Sequence, residues 1–94
     1  MGWRITKAKV IRALREGTYL DEGRNDIGEK NLLASHDLSP DDVRRIIEKC
    51  NGKDYESSPH HGDSSIEVHI IRRSGWYIKF YFVDPDTVFI SVHR

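Results

Sequence analysis

One cysteine, one methionine, three prolines and a net charge of zero are the shortages of this 94-residue chain. The lone Cys50 excludes an internal disulfide and fits a reducing, cytoplasmic setting. Fifteen basic and fifteen acidic residues cancel, so bulk charge gives no argument for nucleic acid. No stretch approaches the roughly 20 apolar residues of a spanning helix, and the first residues lack the apolar run of a signal peptide. No membrane partner is therefore expected. Internal repeats, low-complexity tracts, Gly-rich phosphate loops and activated-serine motifs are also missing. What remains, at 37% apolar and 32% charged residues, is one globular domain spanning 1–94 with a modest core.

The charge is unevenly spread. Arg4, Lys7, Lys9, Arg12 and Arg15 all precede the first acid, Glu16, whereas residues 16–63 hold twelve acids against six bases. Thr6 is placed to cap a helix running to about Glu16, with Ala8, Ile11 and Leu14 beside Val10 as its apolar stripe and Gly17 as its stop. Its basic side either meets phosphate or an acidic partner, or is simply the wet face. Thr18-Tyr19-Leu20 reads as extended. A second helix is expected from Asn25 or Asp26 to Ser35, burying Ile27, Leu32, Leu33 and Ala34. The clearest start is Ser39-Pro40-Asp41-Asp42, which combines a capping serine, a proline at the first helical position and acids where the dipole favours them. Val43, Ile46, Ile47 and Cys50 would form the buried face of this third helix, with Asn51-Gly52 ending it. Cys50 thus reads as a small core residue rather than a nucleophile. Residues 53–65 read as a polar connection.

Three strands follow, at 66–71, 76–83 and 88–93, rich in β-branched and aromatic residues. Helices first and strands afterwards imply an α+β domain, with the helices packed on one face of a C-terminal antiparallel sheet. Alternation separates Ile66, Val68 and Ile70 from Glu67, His69 and Ile71, and Trp76, Ile78, Phe80 and Phe82 from Tyr77, Lys79 and Tyr81. It likewise separates Val88, Ile90 and Val92 from Phe89, Ser91 and His93. Three-residue turns at Arg73-Ser74-Gly75 and Asp84-Pro85-Asp86 would set His69 opposite Lys79, Lys79 opposite Ser91 and Tyr77 opposite His93. One open face would then carry Glu67, His69, Tyr77, Lys79, Tyr81, Ser91 and His93.

Those residue types suit a particular chemistry. Cleavage of RNA by its own 2′-hydroxyl needs a base, an acid and a positive charge near the phosphate, and no cofactor. His93, Tyr77, Glu67 and the loop histidines His60 and His61 are the candidates for proton transfer. Lys79, Arg72, Arg73, Arg94 and His69 are candidates for holding RNA, and Tyr81 for stacking a base. No metal site is expected, because adjacent histidines on an extended chain point apart and no second cluster has zinc-type spacing.

The order of these signals resembles the MqsR family of bacterial toxins, within the RelE-like messenger-RNA interferases. The carriers, spread over most of the chain, are the opening helix Ala8 to Leu14 closed by Gly17, then Leu32-Leu33-Ala34, then Asp42 to Ile47. Asp54-Tyr55, Trp76-Tyr77-Ile78-Lys79-Phe80 and Ile90-Ser91-Val92-His93-Arg94 complete the series. The resemblance implies a RelE/MqsR-like fold and a cytoplasmic endoribonuclease, with messenger RNA, a cognate antitoxin protein and the ribosome as partners. Tyr77 matches the family's active-site tyrosine, and His93 stands where the family has a catalytic lysine. Glu56 falls where another family lysine would be, and the family's glutamine falls near Ile66 or Glu67. These departures suggest that histidines take over work that lysine does in the family. The alternative is a non-catalytic module that binds RNA or a protein through the same sheet face.

Overall fold

The computed structural model describes residues 2–22 and 31–94. Helix α1 spans Trp3–Glu16, a turn longer at its start than the sequence suggested. Its cap is Gly2, and Thr6 is buried within the helix instead of capping it. The buried stripe is Thr6, Val10, Ala13 and Leu14, so Ala8 faces solvent and Ile11 is only half-buried. This stripe keeps the spacing of three and four residues that a core-facing helix requires. Gly17 closes the helix in the left-handed conformation, φ 76°, as expected.

Strand β1, Tyr19–Asp21, precedes helix α2, Pro40–Glu48. Ser39 caps α2 with a reciprocal capping box: its hydroxyl accepts from the Asp42 N–H, and the Asp42 carboxylate accepts from the Ser39 N–H. At the far end, the Lys7 ammonium donates to the Glu48 and Cys50 carbonyls, both at 2.9 Å, tying α1 to the negative end of α2. The start of the helix expected over 25–35, with Ile27, lies outside the described residues. Its described part is turn, because Asn31 docks on the sheet instead. The Asn31 amide donates to the Phe89 carbonyl (3.2 Å) and the Asp21 carboxylate (3.3 Å), and Leu32 N–H donates to the Val92 carbonyl (2.7 Å).

A 3₁₀ turn at Gly52–Asp54 leads into β2, Tyr55–Pro59, where a polar connection was expected. Strands β3 (Glu67–Arg73), β4 (Trp76–Val83) and β5 (Asp86–His93) complete a sheet of order β1-β5-β4-β3-β2. The α+β class holds, but the sheet is mixed rather than antiparallel, since β1 runs parallel to β5. Helices α1 and α2 cover one face. Val10 and Leu14 of α1 and Val43 and Ile47 of α2 pack with Ile71, Ile78, Phe80, Phe89 and Val92 in the main core. The opposite, outer face carries a smaller cluster of Val68, Ile70 and Ile90 against Tyr77 and Tyr81. Among the described residues no helix is long and apolar enough to cross a membrane.

Candidate functional site

Register decides which side chains meet. The β3–β4 turn has two residues, Ser74 and Gly75, both at positive φ (52° and 81°), so Arg73 rather than Arg72 faces the start of β4. His69 consequently pairs with Phe80, and Ile70 with Lys79. A slip of one residue reverses every side chain on β3. Glu67 and His69 therefore leave the expected common face, and Val68, Ile70 and Arg72 take their places.

The β4–β5 turn is also one residue shorter than expected, with Val83 paired to Asp86. Here an irregularity between Lys79 and Phe80 restores the phase: one residue of β5, Ile90, is inserted between the Phe80–Phe89 and Lys79–Ser91 pairs. Tyr77 thus faces His93 and Lys79 faces Ser91, as the sequence reading required. The bulge also splits the sets expected on β5. Phe89 is fully buried in the main core, whereas Ile90 joins the outer cluster.

His69 is 1% exposed on the helix face. Its Nδ1 shares a 2.7 Å hydrogen bond with the Tyr55 hydroxyl, and its ring stacks between Tyr55 and Phe80, with centroids at 5.8 and 5.4 Å. Burial pushes its pKa down, so the imidazole is held neutral. It cannot contact RNA from there. Glu67, near it at 3.9 Å, is held below the usual carboxylate range, chiefly by the Ser57 hydroxyl, and stays ionised near neutral pH. Arg73 also points to the helix side, paired with Asp54 at 3.0 Å.

The outer face keeps the other candidates. The Tyr77 and His93 rings stack at 5.1 Å, and the Arg72 guanidinium lies over Tyr77 at 5.3 Å while pairing with Glu56. Lys79 comes next along β4, then Tyr81, each about 7 Å on by the repeat of two strand residues. Beside Tyr81 the β2–β3 loop folds back, setting His60 edge-on to its ring at 5.4 Å and stacking His61 on His60 at 5.1 Å. Burial and the Glu22 carboxylate both raise the Tyr81 pKa, so its hydroxyl stays protonated. His60, His61 and Lys79 line a cavity of about 250 Å³ whose floor is Val68 and Ile90 and whose rim includes Glu22 and Ser58.

The hydrogen bonds of two histidines assign their neutral tautomers. His93 Nδ1 lies 3.1 Å from the Arg94 main-chain oxygen, which can only accept, so Nδ1 carries the proton and Nε2 keeps a lone pair. His60 Nδ1 instead accepts from Gly62 N–H at 2.9 Å, leaving its proton on Nε2. In the neutral forms the free nitrogen of His93 is therefore an acceptor and that of His60 a donor, one beside Tyr77 and the other beside Tyr81.

Glu22 and Ser58 were missed by sequence reasoning. Glu22 reaches the cavity only because β1 runs parallel beside β5, a pairing without local signal. Ser58 belongs to an edge strand whose polar residues give no apolar alternation. Among the described residues no group of three or more His, Cys, Asp or Glu side chains is placed to hold a metal ion. Arg94, also predicted to bind RNA, lies over the Trp76 ring at 4.5 Å. Compared with protein-family models, curated proteins and solved structures, the chain matches none of them.

Proposed function

We propose that the protein is a metal-independent endoribonuclease of the RelE-like, MqsR-like kind, a cytoplasmic toxin that cuts single-stranded or ribosome-associated messenger RNA and is restrained by an antitoxin protein. The observation that carries this reading is the row of His93 on Tyr77, then Lys79, then His60 on Tyr81 along one open sheet face. In the proposed reaction His93 Nε2 takes the proton of the 2′-hydroxyl, whose oxygen attacks the adjacent phosphorus. The Lys79 ammonium, one pleat along from Tyr77, stabilises the charge that builds on the phosphoryl oxygens. Lys79 then gives a proton to the departing 5′ oxygen, leaving a 2′,3′-cyclic phosphate, while His60 and His61 beside Tyr81 hold the next phosphate along the chain. Tyr77 orients His93 by stacking, and Arg72, held over Tyr77 by Glu56, supplies positive charge where the resembled family has a lysine. Tyr81 offers an aromatic surface to a base.

The test is incubation of the purified protein with a long unstructured RNA, with and without EDTA, beside His93→Ala and Tyr77→Phe, followed by mapping of the new ends. Discrete EDTA-resistant cuts ending in cyclic phosphates, slowed about 10²-fold or more in His93→Ala, are expected. Wild-type cleavage by both variants would refute the site. RNA that is retarded on a gel but never shortened, alone or on ribosomes, would replace the enzyme with a binding module on the same face.

A further inference from the structure

Trp76 is the aromatic side chain that belongs to neither hydrophobic cluster. It opens β4 on the helix side, in phase with Ile78, Phe80 and Phe82. Those three pack into or against the core, whereas Trp76 is half-buried beyond it. Its ring has the Arg94 guanidinium at 4.5 Å and borders an open cavity of about 150 Å³. Ile46 gives that cavity an apolar side, and Arg45, Lys49 and Arg73 surround it.

Cations at the end of α2 are expected from the helix dipole alone. The dipole does not explain why they stand around an indole that the core leaves half-open, with one guanidinium already over its ring. Arg73 is paired with Asp54, but Arg45 and Lys49 have no ion-pair partner within 4 Å among the described residues. An aromatic face, an aliphatic wall and two unpaired cations form a stacking platform with phosphate contacts, the combination that holds unpaired bases. The volume is below the usual 300–1,000 Å³ of a small-molecule site and suits one planar base at a time. A base in a duplex has no free face to offer.

The pocket also adjoins the proposed active site. Trp76 immediately precedes Tyr77, and Arg94 immediately follows His93. Neighbours on a strand face opposite ways, so a chain leaving the Tyr77–His93 pair need only round the end of the sheet to reach Trp76. We propose that this pocket is a nucleobase subsite for single-stranded RNA, in which Trp76 stacks a base flanking the scissile phosphate while Arg45 and Lys49 hold adjoining phosphates. The proposal rests on the ribonuclease reading for the position of the cut, but its binding chemistry is separate from cleavage.

The experiment uses the full chain carrying Trp3→Phe, which leaves Trp76 as the sole tryptophan, and an uncleavable 2′-O-methyl RNA, single-stranded or as a duplex. Saturable quenching of Trp76 fluorescence by the single strand and little by the duplex is expected. Arg45→Ala with Lys49→Ala should weaken single-strand binding roughly tenfold and flatten its salt dependence by about 1.4 in log–log slope. Trp76→Leu should raise KM for cleavable RNA about tenfold with kcat held. Both cation substitutions lie on the exposed helix end, so filter binding in the native background remains informative should Trp3→Phe fail to fold. Equal quenching by the duplex, no quenching, or wild-type binding by the double variant would overturn the subsite. Cleavage of natural RNA without quenching would remove the subsite and leave the nuclease standing. Quenching by a protein that cuts nothing would keep the subsite and remove the nuclease.

Discussion

Replacing Tyr55 by phenylalanine deletes one oxygen and tests the placement of His69 directly. The hydroxyl shares a 2.7 Å hydrogen bond with Nδ1 of an imidazole that is 1% exposed. Without it, that buried nitrogen has no partner, which costs about 1–3 kcal/mol. For a domain of this size each kcal/mol moves Tm by about 4–8 °C. Replacing both groups, Tyr55→Phe with His69→Leu, removes the polar pair together and should recover part of the loss. Urea unfolding of the four proteins gives the coupling, expected at about 0.5–1.5 kcal/mol. The pH dependence provides a second check. Burial depresses the His69 pKa in the folded state, so the unfolded chain binds its proton first. The stabilisation is therefore complete above the unfolded value of about 6.5 and is lost as pH falls below it, at up to about 1.4 kcal/mol per unit until the folded pKa is reached. His69→Leu should lose that slope. A Tyr55→Phe cost within 0.5 kcal/mol, the size of an ordinary surface change, or an unaltered slope in His69→Leu, would refute the buried placement.

Three smaller perturbations probe other local features. Ser39→Ala removes the hydroxyl half of the α2 capping box and should cost about 1 kcal/mol, read as a lower urea midpoint. Ser74→Asn places a residue that tolerates positive φ at 52° in front of Gly75, and a gain of up to about 1 kcal/mol is expected in the same assay. Thr6 carries a buried hydroxyl with no hydrogen-bond partner among the described residues, so Thr6→Val should raise stability by about 1 kcal/mol, seen as a higher calorimetric Tm.

The parts of the fold that were legible in the sequence are those fixed by local chemistry. Ser39, Pro40 and Asp42 announce α2 because a cap, a fixed φ and a carboxylate at the helix start act within one turn. Gly17 ends α1 for an equally local reason. The phase of α1 was not legible from its threonine: Thr6 resembles a cap, yet Trp3 draws the helix back one turn and carries Thr6 into the core. The parallel pairing of β1 with β5 is a matter of topology, and three residues of strand contain no statement of direction. Tyr77 facing His93 came out as expected through cancellation, since the shorter turn at Asp84-Pro85 is offset by the extra residue Ile90. Lys79, His60 and His61 were legible as residue types with the right chemistry, but their meeting in one cavity depends on the loop.

The displacement of Glu67 and His69 and the failure to see β2 are connected. A histidine on the core side of a sheet is improbable from sequence because a buried polar group without a partner is costly. The partner here is Tyr55, the first residue of β2, aligned with Ile71 one pleat from His69. Ser57, the next residue of β2 on that face, is paired with His69 along the backbone and gives its hydroxyl to Glu67. A three-residue turn at Arg73-Ser74-Gly75 put both on the outer face by register, and with β2 read as a loop nothing in the sequence argued against it. With β2 read as a strand, Tyr55 and Ser57 satisfy the two groups, and the two-residue turn at Ser74-Gly75 becomes the consistent register. The same strand ends at Pro59 and delivers His60 and His61 to the outer face. One polar edge strand thus takes two predicted residues out of the candidate site and places two others within it.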